Sequence, residues 1–166
     1  MNLFSSRIEL ISSLEKGEIG NLLRKNVQPP RNFGDRYLNQ QKNLPFEGEL
    51  GWDVFTIKRC IQYRNSFLPK IKGSLETHQA KTKIILQFSL NPFVLIFILF
   101  WLTMVGAFMI LALNMMDWDN PEYAMILIPT VMFFAGLAMP FFGFGYEKNK
   151  AVQLLKDILK ARIFEP

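Results

Sequence analysis

Two runs without an ionisable side chain constrain this chain more than any other feature. No Asp, Glu, Lys, Arg or His occurs from Ile84 to Met116, and a second such run extends from Tyr123 to Tyr146. Within the first, Pro92 to Leu113 is almost wholly apolar. At 1.5 Å per helical residue it covers roughly 33 Å, enough for the hydrocarbon core of a bilayer. Ten of the 16 Phe residues lie between Phe88 and Phe144, so the apolar mass is concentrated rather than spread through a globular core. Asn91-Pro92 and Asn120-Pro121 open the two runs. Asn is a favoured N-cap, and Pro suits the first helical position because its missing N–H would have no partner there. A soluble helical hairpin is the alternative, but two uncharged runs of this length are hard to bury in so small a chain.

The spans therefore read as a transmembrane hairpin over residues 91–146, with helices at 92–113 and 122–146. The short connection holds Asp117, Asp119 and Glu122 and no basic residue. The ninety residues before the first span carry 14 basic and 8 acidic residues, and the tail after Tyr146 carries 5 and 3. Positive-inside bias puts both termini in the cytoplasm and the loop outside. Trp118 and Tyr123 are expected as anchors at the outer interface and Tyr146 at the inner one. Pro140 is expected to kink the second helix near Gly136. Gly136, Gly143 and Gly145 would admit a close neighbour such as Gly106-Ala107 of the first helix. With no ionisable group in either span, a proton relay or ion-coupled transport is disfavoured.

Residues 1–90 read as a cytoplasmic domain. Ser6-Arg7-Ile8-Glu9 matches a capping box, and Ile8, Ile11 and Leu14 share a helical face, which predicts a short helix near 7–16. Val27 to Pro45 reads as a basic, Pro-punctuated loop. From Phe46 the period changes to two. Phe46/Gly48/Leu50, Phe55/Ile57/Arg59/Ile61, Ile71/Gly73/Leu75 and Thr82/Ile84/Leu86/Phe88 each alternate with polar or unlike neighbours. This predicts at least four strands in a small antiparallel sheet, the last running directly into the first span. Residues 147–166 are predicted to form an amphipathic helix, with its stripe of Ala151, Val152, Leu154, Leu155, Ile158, Leu159 and Ile163 covering the sheet or lying on the bilayer. The fold class is thus α+β: a small antiparallel sheet with flanking helices, fused to a two-helix transmembrane hairpin.

No catalytic constellation is legible. There is one Cys (Cys60) and one His (His78), and no phosphate loop, Cys-x-x-Cys or Gly-x-Ser-x-Gly motif. Cofactor and metal sites are not expected, and the net charge of +5 follows membrane topology rather than a nucleic-acid-binding stripe. One local string stands out: Tyr63-Arg64-Asn65-Ser66-Phe67-Leu68-Pro69. It reads as a structured turn in which Asn65 and Ser66 bond the backbone. It can also be read as a recognition loop in which Tyr63 and Arg64 meet a lipid phosphate or a partner.

With Phe46-x-Gly48, Phe55-x-Ile57, Tyr63-Arg64-Asn65-Ser66-Phe67-x-Pro69-x-Ile71-x-Gly73 and the apolar hairpin, residues 46–113 resemble a group of small bacterial two-span membrane proteins. The resemblance transfers no activity and no functional residue. It implies a bacterial inner membrane. The resulting expectation is a non-enzymatic integral membrane protein whose cytoplasmic sheet is a tethered binding or scaffold module. Its partners would be membrane lipid and a protein or a further copy of the chain. The alternative is an oligomeric effector that perturbs the bilayer, with Gly106, Gly136 and Pro140 at its helix contacts.

Overall fold

Alternation of apolar and polar side chains organises most of the first ninety residues into strands. A computed structural model describes residues 5–30, 44–78, 81–116 and 123–164. The elements run β1 (Ser5–Ser12), α1 (Lys16–Asn26), β2 (Val27–Gln28), β3 (Phe46–Leu50), β4 (Val54–Arg59), β5 (Lys70–His78), β6 (Lys81–Ser89), α2 (Pro92–Met115), α3 (Ala124–Ile158) and β7 (Ala161–Ile163). The strands form one 7-stranded sheet in the order β2-β3-β4-β5-β6-β1-β7.

The sheet is mixed rather than purely antiparallel. Its inner pairs are antiparallel as the alternation predicts, but β2 runs parallel to β3 at one edge, with Val27 opposite Phe46. The helix expected near 7–16 is instead β1, which pairs with β6 along its whole length, from Ser5↔Ser89 to Ser12↔Thr82. A short isolated helix is marginal, whereas a strand laid beside β6 satisfies its backbone and buries Leu10 completely. Helix α1 begins later. There the Glu18 carboxylate accepts from the Glu15 backbone N–H at 3.1 Å.

One sheet face is dry. Cross-strand pairs Ile57↔Ile71, Ile71↔Phe88, Leu75↔Ile84 and Leu10↔Ile84 stack inward. They pack against Ile19 and Leu23 of α1 and against Ala151, Val152 and Leu155 of α3, with Leu159 just beyond its end. Each fully buried Leu or Ile contributes about 1.5–3 kcal/mol. The opposite face carries ion pairs such as Lys83–Glu9 at 2.8 Å and Lys58–Glu47 at 3.0 Å, the arrangement of a sheet with one solvated side.

Strand β6 ends at Ser89, and α2 starts at Pro92 with the Asn91 side chain accepting from the Phe93 N–H at 3.0 Å. Helices α2 and α3 are long and apolar enough to cross a membrane. The two helical segments expected at 122–146 and after 147 are one helix. Its 35 residues extend about 52 Å, well past a bilayer core, so its last turns reach the sheet. Pro129 and Pro140 both lie inside it. Buried Ala161 and the short strand β7 then close against β1, where Leu10 faces Ile163. Trp118 and most of the basic 27–45 segment lie outside the described residues.

Gly73 is the tightest point of the dry face. It faces Phe55 across β4 and β5, and a Cβ at 73 would fall 2.0 Å from the Phe55 ring. Gly73→Val is therefore expected to destabilise the chain by about 1–3 kcal/mol. Thermal unfolding in detergent would register the loss, and Phe55→Ala in the same chain should restore part of it. An unchanged unfolding midpoint in Gly73→Val would contradict this packing.

Candidate functional site

Arg59 ends β4 on the dry face, in register with the apolar Phe55 and Ile57. A guanidinium there needs an anion, and the fold supplies one from the far end of the sequence. Glu147, in α3, is fully buried. Its Oε2 accepts from Arg59 Nη1, and its Oε1 accepts from the Tyr63 hydroxyl and from Asn65 Nδ2, the last at 3.3 Å. Removing a carboxylate from water costs several kcal/mol unless charge and hydrogen bonds replace the solvent. Here both oxygens are occupied, and no buried side-chain polar atom among the described residues lacks a partner.

Two of these groups, Tyr63 and Asn65, come from the segment between β4 and β5. The Asn65 side-chain Oδ1 accepts from the Phe67 backbone N–H at 2.9 Å, an Asx turn that holds the loop's shape. Phe67 then reaches α3. A Cβ at position 143 would meet the Phe67 ring at 2.7 Å, so Gly143 is the seat of this side chain. Gly143 and Glu147 are four residues apart on one helical face. The loop thus grips α3 at two successive turns, by packing and by hydrogen bonds.

The recognition-loop residues divide accordingly. Tyr63 and Asn65 turn to Glu147, whereas Arg64 and Ser66 are exposed. The Tyr63 ring stays half exposed even though its hydroxyl is engaged. The hydrogen bond it donates to Glu147 raises its pKa above the ordinary value, with desolvation and the Glu147 charge acting in the same direction.

Helix packing uses the glycines unequally. Gly136 lies against Trp101 and Leu102 of α2, with 3.1 Å between a Cβ there and the Trp101 ring. Gly106 is in ordinary contact with Phe133, Gly143 serves the loop rather than α2, and a Cβ at Gly145 would meet open space. Pro140 is buried within α3. Tyr123 is exposed at the start of α3, and exposed Tyr146 carries Lys150 Nζ at 4.3 Å over its ring.

The cluster ties the end of β4 and the loop after it to α3. Glu147, Arg59, Tyr63 and Asn65 line neither the small cavity beside Gly51 and Trp52 nor the cleft between α2 and α3. Among the described residues no group of His, Cys, Asp and Glu is placed to hold a metal ion. A second feature lies at the opposite end of the sheet and is absent from any motif. The tight turn between β3 and β4 leaves Trp52 93% exposed and Val54 63% exposed, beside the Lys16–Asp53 ion pair at 3.2 Å. In the sequence Trp52, a single Trp beside Gly51, has the look of an ordinary turn residue. No family model, no curated protein and no solved structure matches the chain.

Two predictions follow from the Glu147 cluster. Arg59→Met and Glu147→Gln should each cost about 3 kcal/mol, because each strands a charge or its donors in a dry site. Their double-mutant cycle should give a coupling of about 1–3 kcal/mol, and additive losses would contradict the pair. The second concerns pH. The folded pKa of Tyr63 lies above its unfolded value, so its stabilisation is complete below pH about 10 and is lost as pH rises through the folded value. Alkaline denaturation should therefore be less steep in Tyr63→Phe than in the parent chain.

Proposed function

We propose that the chain is a non-enzymatic, two-pass integral membrane protein whose sheet domain is a rigidly tethered binding module for a protein partner. The observation that carries this reading is the position of Trp52. The membrane-side end of the sheet is marked by Ser89, which faces Ser5 and Lys70 and leads into α2. Val54 faces Ser74, which faces Ile85, so the turn that follows β3 projects from the other end, roughly 20 Å away along β6. A Trp this exposed, next to an exposed Val, is the kind of anchor that dominates protein interfaces.

Membrane insertion is supported by the surface of the hairpin. Phe93, Phe97, Phe100, Phe108, Leu127, Phe134 and Phe142 all point outward, an apolar expanse far beyond what a monomer keeps in water. The two threonine hydroxyls within the spans find acceptors inside their own helices. Thr103 donates to the Leu99 carbonyl at 2.8 Å, and Thr130 donates to that of Ile126 at 2.7 Å. The pairing of β7 with β1 keeps the first and last strands together on one side of the two apolar helices. The excess of Lys and Arg in the segments flanking the hairpin makes that side cytoplasmic, and the resemblance to small bacterial proteins points to an inner membrane.

The tagged chain, purified from its own membranes in mild detergent, should carry a stoichiometric partner. Trp52→Ser should weaken that complex by about 2 kcal/mol, on the order of thirtyfold, without altering the unfolding midpoint. Recovery of the chain alone, or the same partner yield from Trp52→Ser, would overturn the reading. In intact cells, a cysteine at position 118 should react with an impermeant thiol reagent and one at position 52 should not. The reverse pattern would invert the topology.

A further inference from the structure

Between α2 and α3 lies an almost wholly apolar cleft of about 350 Å³. Phe97 and Trp101 form one wall and Met132, Gly136 and Met139 the other, with Phe67 of the 61–69 loop at the sheet-side end. The cleft lies in the half of the hairpin nearer the sheet, since Phe97 is two turns or fewer from the start of α2. Its end meets a basic neck. Arg59 is neutralised by Glu147, and Lys58 by Glu47. Arg64, Lys70, Lys148 and Lys150 then remain around the junction of sheet and helices, and none of them is ion-paired among the described residues. Arg64 is the exposed residue between the two that hold Glu147, and it lies three positions before the Phe67 that lines the cleft.

We propose that this cleft and neck form a binding site for one anionic phospholipid of the sheet-side leaflet. One acyl chain lies between Trp101 and Met139, and the phosphate meets the Arg64 guanidinium. Three observations select this occupant. The cleft is too small for a helix, which is about 10–12 Å across, but fits a hydrocarbon chain. Its open side faces the lipid, because the residues flanking it, Phe100 and Phe134, are exposed. The charge at its end is complementary to a phosphodiester, and Arg presents the planar donor fork that phosphate oxygens accept. The same loop that grips α3 therefore also presents the headgroup contact, with Tyr63, Asn65 and Phe67 facing the helix and Arg64 and Ser66 facing outward. The inference rests on the membrane-spanning reading above.

The test is native mass spectrometry of the full chain, released from detergent after titration with phosphatidylglycerol or with phosphatidylcholine of identical acyl chains. Phosphatidylglycerol is expected to bind about tenfold more tightly. Arg64→Gln, a change at an exposed position, should weaken phosphatidylglycerol binding more than phosphatidylcholine binding and so reduce that preference about fivefold. Ala135→Phe, which fills the cleft, should weaken both lipids. Ala135→Leu should do so to a smaller degree if the larger residue disturbs the hairpin. Equal affinity for the two lipids overturns the proposal, as does an unchanged preference in Arg64→Gln or full binding by both cleft variants. Alkaline carbonate extraction of native membranes separates this failure from that of the underlying reading. A chain that stays in the pellet yet shows no lipid preference refutes the site alone, whereas a chain that is extracted refutes membrane insertion.

Discussion

A carboxylate with no exposure to solvent cannot stand alone, and the arrangement of this molecule follows from how Glu147 is satisfied. Its donors come from the end of β4 and from the loop that follows, so the middle of the sheet is bound to the third helix by charge as well as by apolar contact. Replacing such a group with a well-packed apolar residue is often neutral or favourable, so net stability does not explain its presence. What the cluster supplies is a definite position. An apolar contact tolerates sliding by a turn, whereas a carboxylate with its three donors in place fits only one register of α3 against the loop.

That register matters because the sheet and the hairpin are joined in three places. Strand β6 passes into α2 across Leu90 and Asn91 alone. Helix α3 continues without interruption from the apolar span into the sheet's core, where Leu155 is fully buried. The 61–69 loop supplies the third tie through Phe67 and Glu147. Two covalent passages and one side-chain latch leave little freedom between the parts. The Trp52 end of the sheet is then held in a fixed position relative to the two apolar helices, which a flexible linker would not provide.

Much of this was legible in the sequence, and the exceptions share a cause. The apolar spans and strands β3 to β6 declare themselves through local periodicity, from charge-free runs and from alternation. Strand β1 was hidden because Ile8, Ile11 and Leu14 also fit a helical face, and only the long pairing with β6 decides between the two. Strands β2 and β7, of 2 and 3 residues, are too short to carry a period and exist through their neighbours. The Glu147 cluster spans more than eighty residues of sequence, so nothing around Glu147 announces it. Its other half did leave a trace, because Arg59 stands in the apolar phase of β4, where a charge requires a buried partner.

The most direct measurement of the central claim is disulfide formation between the loop and α3 in native membranes. Cys60 is the chain's single cysteine, so a Cys60→Ala background is clean. A Cβ at position 143 lies 3.0 Å from Phe67 Cβ, so a shift of the loop by roughly half an ångström to one ångström brings the pair to the separation a disulfide spans. Phe67→Cys with Gly143→Cys should therefore cross-link rapidly and almost completely under mild oxidation, and adding Glu147→Ala should slow the reaction by an order of magnitude. Failure of the pair to cross-link, or cross-linking at the same rate without Glu147, would contradict the account of a loop latched to the helix.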